Sequence, residues 1–230
     1  MGQYPDGMRG LLIVDDPQDP FAGEYDVDYT ISVSDWYDGQ SLDVVRGFLT
    51  ADNPAGLLPL PDAALINDGA SREYAFDPSK TYRLRIVSFS TLAAFMIQAD
   101  GHPFTVIMAD SAYVDSPVVN QLRLTPGQRY DVLIRGSDGR PGNFPIIFSM
   151  DRNKDWTMGS ENESLVWPLN ATAYFVSDAA AERPVPNVGV WNPEDEVLWH
   201  TYGKIPRLPK PDHRFFMEFT QCLDAYGIPR

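Results

Sequence analysis

Apolar and polar side chains alternate through most of the first three quarters of this 230-residue chain. The clearest case is residues 25–34, YDVDYTISVS, where five apolar or aromatic residues from Tyr25 to Val33 alternate with five polar ones. Successive side chains of a strand point to opposite faces of a sheet, so this period of two predicts a strand with one buried face. The pattern stops at the crowded sequence DWYD, residues 35–38.

Further segments show the same alternation and are predicted as strands. Clusters of Gly, Pro, Asn and Asp separate them, and Gly127 in the expected turn at 125–128 satisfies a backbone requirement there. Only residues 41–49 have the pattern of one or two helical turns. The series predicts an all-β fold, an antiparallel β-sandwich or Greek-key barrel. The other predicted strands are residues 11–14, 81–88, 94–100, 104–108, 120–124, 130–135, 143–150 and 171–177.

The composition changes near residue 179. Six prolines fall between residues 182 and 212, which predicts a semi-extended linker. Beyond it, residues 213–222, HRFFMEFTQC, alternate again like the first strand of another domain. A strand without a partner exposes its edges and has no core, so we expect that neither residues 11–14 nor residues 213–222 are stable by themselves.

Composition and charge exclude several functions. The hydrophobic content of 43% allows a buried core, and the formal net charge of -14 argues against a nucleic-acid partner. An acidic surface favours cationic over anionic ligands, metal ions included. The single cysteine, Cys222, excludes a disulfide within the chain, and no apolar run reaches the roughly 20 residues that span a bilayer.

Neither a complete copper site nor a nucleophilic triad is visible in the sequence. A blue copper site needs two His and one Cys, but alternation would place His213 and Cys222 on opposite faces of one strand. The remaining histidines are His102, in a Gly-His-Pro turn sequence, and His200. We therefore predict no metal ligands and no catalytic residues within this chain, and we expect Cys222 to be a small buried strand residue.

Other polar residues have two interpretations each. Asp35 is either a turn residue that binds its own backbone or a carboxylate at the sheet rim that holds a proton or a cation. Trp36 and Tyr37 are expected to pack at the core or rim. The predicted exposed faces of strands carry Arg83, Arg85 and Arg129, and the two glycosylation sequons begin at Asn162 and Asn170.

Several stretches, in this order, resemble the multicopper oxidases, the family of laccases and ferroxidases. They are QYPDGMRGLLIVDDP, ISVSDWYDG, LINDG, KTYRLRIVS, FMIQADGHPFTVI and LTPGQRYDVLI, and the resemblance runs from about residue 3 to residue 178. FSMDRN and LNATAYFVSD are more similar to the fungal iron-oxidising branch.

This resemblance implies a cupredoxin-like Greek-key fold and a division of the chain. Residues 1–20 would be the tail of a first cupredoxin domain, residues 21–180 a complete second domain, residues 181–212 the linker, and residues 213–230 the first strand of a third domain. In the family the first and third domains carry the copper ligands and the second has none in most members. The copper of the parent enzyme would thus have its ligands outside this chain, which alone is expected to be inactive.

The resemblance also implies a role for Asp35. In laccases and ferroxidases the acid before this Trp-Tyr pair lies beside the reductant pocket, so Asp35 is predicted to help bind a phenol or ferrous iron. Asp38 replaces a histidine that is common in laccases. The implied partners are the first and third cupredoxin domains and a small reductant. The family also implies a secreted or extracytoplasmic location, although residues 1–10 lack a signal peptide pattern.

Two alternatives remain open. The chain could be a stand-alone, non-catalytic cupredoxin-like binding or structural module, or a separate chain that assembles with chains carrying the copper domains. A coding region that continues into His-x-His or His-Cys-His sequences would decide for a fragment of a longer oxidase.

Overall fold

The structure, a computed structural model, describes residues 2–48, 50–54, 56, 58–115, 118–136, 142–151, 170–187, 190–193, 199–203, 209–220, 222, 224–226 and 228. These residues form thirteen strands and one helix, α1 (Ser41–Phe48). The strands are β1 (Val27–Trp36), β2 (Ala63–Ile66), β3 (Ser71–Ala75), β4 (Thr81–Ser88), β5 (Phe95–Ala99), β6 (Phe104–Ala109), β7 (Ala112–Asp115), β8 (Val118–Val119), β9 (Gln121–Leu124), β10 (Arg129–Arg135), β11 (Phe144–Met150), β12 (Asn170–Val176) and β13 (His200–Thr201).

The strands form two sheets packed face to face. The first has the order β13-β7-β6-β10-β4-β1-β2, with β8 paired to β6, and the second has the order β3-β12-β11-β5-β9. The predicted all-β sandwich is confirmed, and most strand pairs are antiparallel, but two pairs are parallel. β1 pairs with β4 in parallel, as does β12 with β3, because the chain crosses between the two sheets at these points.

The core lies between the sheets and is filled from alternating strand positions. On β4, Tyr82, Leu84 and Ile86 are buried, and on β1 so are Ile31 and Val33, as their period of two predicts. Aromatic rings close one end of this core, where Phe76, Phe144 and Phe175 pack within 6 Å of one another. The edge-to-face and stacked arrangements are those that aromatic quadrupoles favour.

Most predicted strands are confirmed within a residue or two, as is the helix. β1 begins at Val27 rather than Tyr25 and continues through Trp36. The sequence did not reveal β2, β3, β7, β8 and β13, which are short or largely polar. The turn at 125–128 is present, with Gly127 at φ +79°.

The two terminal segments predicted as strands form no strand in the described chain, and their assignment to neighbouring domains stays a prediction. Residues 11–14 have no strand pairing, and the side chain of Leu12 is 87% exposed. Residues 213–220 and 222, the described part of the other segment, also lack pairing, and Phe216 is 96% exposed. The described chain offers neither segment a neighbouring strand, so their backbone groups have no ladder to join. Cys222 is exposed rather than buried.

Arg83 was expected to be exposed, but it is buried on the outer face of the first sheet. Its Nε donates to Asp131 Oδ2 at 2.9 Å, and its Nη1 donates to Asp19 Oδ2 at 2.7 Å and to Tyr25 Oη at 2.9 Å. The segment before β1 covers this face, which is why alternation alone misplaces Arg83. Arg129 is exposed, as predicted, and Arg85 is partly exposed.

The described parts of the proline-rich segment lie against the sandwich. Arg183 forms a two-pronged ion pair with Glu73 on β3, at 2.7 and 3.1 Å. The backbone N–H of Asn187 donates to Asp100, and Trp199 packs edge-on against Tyr130. These contacts hold the segment in place more firmly than its composition predicts.

Candidate functional site

Asp35 lies at the end of β1 and is only 2% exposed. Its Oδ1 accepts the backbone N–H of Thr91 at 2.8 Å, and its Oδ2 accepts those of Leu92 and Ala93 at 2.7 and 2.9 Å. The carboxylate therefore holds the loop after β4 against the end of β1, rather than binding its own backbone. A carboxylate has about four lone-pair sites, and three are used here.

The loop held by Asp35 forms one wall of an apolar cleft with a volume of about 220 Å³. Helix α1 and the segment at residues 58 and 59 form the other walls, and the chain before β1 closes one side. None of the described lining residues is charged. They are Pro5, Tyr37, Ser41, Val44, Val45, Phe48, Leu58, Pro59, Thr91 and Leu92.

Tyr37 provides a phenol at the wall of the cleft. Its hydroxyl donates to the carbonyl oxygen of Pro59 at 3.1 Å. Burial raises the pKa of Tyr37 well above its usual value, and the negative charges of Asp35 and Asp62 raise it further. The phenol therefore stays protonated, and the two carboxylates impose a negative potential on this part of the cleft.

The start of α1 is fixed by the N-terminal segment. Asp6 accepts the backbone N–H of Ser41 at 2.8 Å through Oδ1 and the Ser41 hydroxyl at 3.0 Å through Oδ2. A carboxylate at a helix N-terminus satisfies free N–H groups and interacts favourably with the helix dipole. This contact places Pro5 at the cleft. The cleft is therefore formed by the N-terminal segment, residues 2–10, together with the sandwich.

Arg9 has a buried side chain, and no sequence pattern marks it as a candidate site residue. Its Nη2 donates to Ser34 Oγ at 2.8 Å and to Asp68 Oδ1 at 3.1 Å, and its guanidinium lies 5.7 Å from the centre of the Phe89 ring. Its Nε and Nη1 have no hydrogen-bond partner among the described residues. Arg9 thus anchors the N-terminal segment against the outer face of β1.

The candidate metal ligands are dispersed. His102 stacks on Phe144 with ring centroids 3.7 Å apart and its Nδ1 is 2.7 Å from the Asp100 carbonyl oxygen. His200 lies on the edge strand β13, and His213 is exposed beyond it. Across the described part of the chain, no three His, Cys, Asp or Glu side chains are grouped so that they could hold a metal ion. These residues therefore do not fit a copper centre.

Of the two glycosylation candidates, Asn170 is exposed at the first position of β12. Asn162 lies outside the described residues. The described part of the chain contains no helix with the length and hydrophobicity that a membrane span requires.

A sequence model of the family described as multicopper oxidase matches residues 27–177, which contain every described strand of the two sheets except β13. This chain belongs to the multicopper oxidase family. The iron transport multicopper oxidase FET3 of Gibberella zeae is 30% identical over 217 residues, which are 94% of this chain and 34% of that protein. FET3 of Saccharomyces cerevisiae is 31% identical over 214 residues, 92% of this chain and 32% of that protein.

Solved structures agree with this assignment. The crystal structure of Fet3p, described as a multicopper oxidase that functions in iron import, matches with a TM-score of 0.90 and 30% identity over 99% of this chain and 42% of that one. A laccase from Botrytis aclada matches in fold, with a TM-score of 0.58 and 23% identity over 73% of this chain and 32% of that one. The multicopper oxidase chain described here thus has the predicted cupredoxin-like fold, and it spans about a third of the length of the curated relatives it matches.

Proposed function

We propose that this chain is the copper-ligand-free middle portion of a multicopper oxidase, and that it supplies scaffold and one wall of the pocket for the reductant. In this proposal residues 21–180 are the second cupredoxin domain. Residues 1–20 and 213–230 belong to the first and third domains, and residues 181–212 connect the second domain to the third. The matched region, residues 27–177, and the unpaired apolar segments on either side of it support this division.

The observation that carries the proposal is the cleft beside Asp35. It combines an apolar lining, a volume of about 220 Å³ and a loop held by a buried carboxylate. An apolar cavity of about 150 Å³ accommodates a benzene ring, so this cleft is large enough for one substituted ring. When bound in the parent enzyme, copper would accept electrons from the reductant, while the residues of this chain would bind the reductant and orient it.

Two reductant classes follow from different observations. The apolar lining favours a small aromatic reductant, because apolar walls gain from excluding water around a ring. Ferrous iron is the second candidate, because the relatives are described as iron transport oxidases. A ferrous ion prefers oxygen and nitrogen ligands, and Asp35 has little capacity left to supply one.

The predicted contact between Asp35 and the reductant stays a proposal. The Asp35 carboxylate is buried and accepts three backbone N–H groups. These bonds favour a positioning role, in which Asp35 holds Thr91 and Leu92 at the wall of the cleft. We further propose an extracytoplasmic location, which the exposed sequon at Asn170 supports.

Filling the cleft in an oxidase that contains this chain tests the proposal. Val44→Phe should raise the KM for an aromatic reductant by roughly three- to tenfold while copper content is unchanged, because bound substrate is displaced and no ligand is lost. Val185→Phe, at an exposed position away from the cleft, is the control. An unchanged KM would contradict the assignment of the cleft.

The isolated 230-residue chain should retain far less than one copper per chain after dialysis, and stoichiometric copper would contradict the copper-free assignment.

A further inference from the structure

The chain that follows β12 crosses the second sheet from one edge to the other. Near the start of this stretch, Arg183 is paired with Glu73 on the edge strand β3 at 2.7 and 3.1 Å. Near its end, the backbone N–H of Asn192 donates to Gln121 Oε1 on β9, the opposite edge strand, at 2.6 Å. We call the described part of this stretch, residues 183–187 and 190–193, the crossing segment.

The distance between the two edges requires an extended backbone. Four interstrand spacings of about 4.8 Å separate β3 from β9, so the sheet is roughly 19 Å wide between them. The chain from Arg183 to Asn192 covers roughly 28 Å in a polyproline II conformation but only about 14 Å in a helix. Pro184 and Pro186 disfavour a helix and favour the extended form, which gives the crossing segment the length that it needs.

Side-chain amides of the sheet bind the main chain of the crossing segment. Besides accepting the Asn192 N–H, Gln121 donates through Nε2 to the Val190 carbonyl oxygen at 3.1 Å. The same Nε2 donates to Gln98 Oε1 at 2.9 Å, and Gln98 Nε2 in turn donates to the Asn187 carbonyl oxygen at 3.4 Å. Both N–H groups and the oxygen of the Gln121 amide are therefore used, which fixes its orientation.

Apart from the ion pair of Arg183, these contacts involve the backbone of the crossing segment. An extended segment without strand pairing has N–H and C=O groups that need partners. The Asn187 N–H has one as well, because it donates to Asp100 Oδ2 at 3.1 Å. By contrast, the side chains of Val185 and Val190 point to solvent and are 88% and 90% exposed. The segment is thus held by groups that nearly every residue carries.

Burial on the outer face of the second sheet agrees with a covering layer. Ile147 on β11 lies directly opposite Gln98 on β5, which lies opposite Gln121 on β9. Ile146 and Phe148 belong to the core between the sheets, so Ile147 points outward, yet it is only 1% exposed. A side chain on an outer face is buried only when further chain covers it, and the hydrogen bonds of Gln98 and Gln121 bring the crossing segment to this row.

We propose that the outer face of the second sheet is a recognition surface for an extended, proline-rich polypeptide segment, which it binds through the main chain by the amides of Gln98 and Gln121. Its occupant is the crossing segment of this same chain. Docking is a separate equilibrium, in which the segment can leave the sheet while the sandwich stays folded. The docked state fixes the direction in which the chain runs from β12 towards β13. None of these groups lines the proposed reductant cleft, so the surface is independent of that proposal.

Amide hydrogen exchange of the full 230-residue chain, followed by NMR, measures docking directly. The N–H groups of Asn187 and Asn192 should be protected, but less than those of Leu84 and Ile86 in the core strand β4. Equal protection at all four positions would show that the segment opens only when the whole domain unfolds. A lack of protection at Asn187 and Asn192 would show that the segment does not dock. Either result would overturn the proposal.

Gln121→Leu keeps the size of the side chain and removes its hydrogen bonds. The protection of the Asn192 N–H should fall roughly tenfold or more, with little change at Leu84. Gln18→Leu, the same substitution at an exposed position before β1, is the control and should leave the protection of Asn192 unchanged. Unchanged protection of Asn192 in Gln121→Leu would mean that this amide does not hold the segment, which contradicts the proposed recognition.

Two double variants separate the backbone of the crossing segment from its side chains. Pro184→Gly with Pro186→Gly should lower the protection of Asn192 by roughly fivefold or more, because the undocked segment gains conformational freedom. Val185→Ser with Val190→Ser should leave it within about twofold, because these side chains are exposed. A loss in the serine variant as large as that in Gln121→Leu would assign the recognition to side chains and refute binding through the main chain.

Discussion

A single carboxylate, Asp35, organises the candidate site at the scale of residues. Its three hydrogen bonds join two parts of the chain that are 56 to 58 positions apart. Hydrogen bonds to a charged acceptor are stronger than neutral ones, and buried donors that lose such an acceptor bear the cost of desolvation. The shape of the cleft therefore depends on a residue that does not itself line it.

Asp35→Ala should lower the free energy of unfolding by about 2–4 kcal/mol, because three backbone N–H groups lose their acceptor. Urea unfolding followed by tryptophan fluorescence measures the change. Asp38→Ala, three residues later and exposed, is the matched control and should change stability by about 0.5 kcal/mol or less. Equal effects of the two substitutions would show that the bonds to Asp35 do not hold the loop.

A second residue-level prediction concerns Gly136, directly after β10. A Cβ atom at this position would lie 2.1 Å from the carbonyl oxygen of Pro78, and backbone atoms cannot easily move away. Gly136→Ala should therefore destabilise the fold by roughly 2–3 kcal/mol or more. Gly23→Ala, which has no atom within 4 Å of the added methyl group, should be nearly neutral in the same thermal unfolding assay. Similar melting temperatures for the two variants would contradict this prediction.

The sequence could direct attention to Asp35 but could not reveal its environment. Its place at the end of an alternating strand is visible from the pattern, and the family resemblance adds the neighbouring Trp-Tyr pair. Its donors lie on a loop more than 50 residues away, and no local pattern encodes that contact. The cleft was missed for the same reason, because Pro5, Phe48 and Leu92 meet only in the folded chain.

At the scale of elements, a network of ion pairs joins the outer face of the first sheet to the segment before β1. Arg83 on β4 binds Asp131 on β10 and Asp19 in the segment before β1, while its neighbour Arg85 binds Asp28 and Asp15 closer to solvent. Alternation correctly places both arginines on the face away from the core. It cannot show that the segment at residues 15–25 folds back over one of them, since this depends on tertiary structure.

Arg83→Ala should cost about 3–5 kcal/mol of stability, because Asp131 and Asp19 would remain buried without their cation. Arg85→Ala, two residues away on the same face, should cost about 1 kcal/mol or less because its partners are more exposed. Chemical denaturation of both variants at neutral pH makes the comparison. Equal losses of stability in the two variants would contradict the burial of the Arg83 ion pairs.

The pH dependence of the Arg83→Ala variant gives an independent check. Burial already raises the pKa of Asp131 above its usual value, and Arg83 opposes this shift. Without Arg83 the pKa should rise further, so the folded variant takes up a proton more readily than the unfolded chain does. The stability deficit of Arg83→Ala should therefore shrink as the pH falls from 7 towards 5. A deficit that grows over this range would contradict the prediction.

For the whole molecule, the fold was predictable from the sequence, and the two terminal segments were expected to be unstable without a partner strand. Strands such as β4 and β10 contain enough alternating residues to reveal the sandwich, whereas short polar strands such as β3 do not. Residues 11–14 and 213–220 also alternate or are apolar, yet they form no strand here. An alternating or apolar pattern shows that a segment can form a strand when a partner strand is present. The described chain provides no partner strand for these two segments.

The exposed ends lead to a prediction about association. Leu12 and Val14 are 87% and 76% exposed at one end, and Phe215, Phe216 and Phe219 are 85%, 96% and 88% exposed at the other. Apolar residues clustered in this way mark surfaces that other polypeptide covers. The 230-residue chain by itself should bind the dye ANS and self-associate with increasing concentration in light scattering. Leu12→Ser with Phe216→Ser should reduce both signals, whereas Val185→Ser with Val190→Ser, at isolated exposed positions, should not. A chain that remains monomeric and binds no dye would show that these segments need no partner, which would count against their assignment to the neighbouring cupredoxin domains.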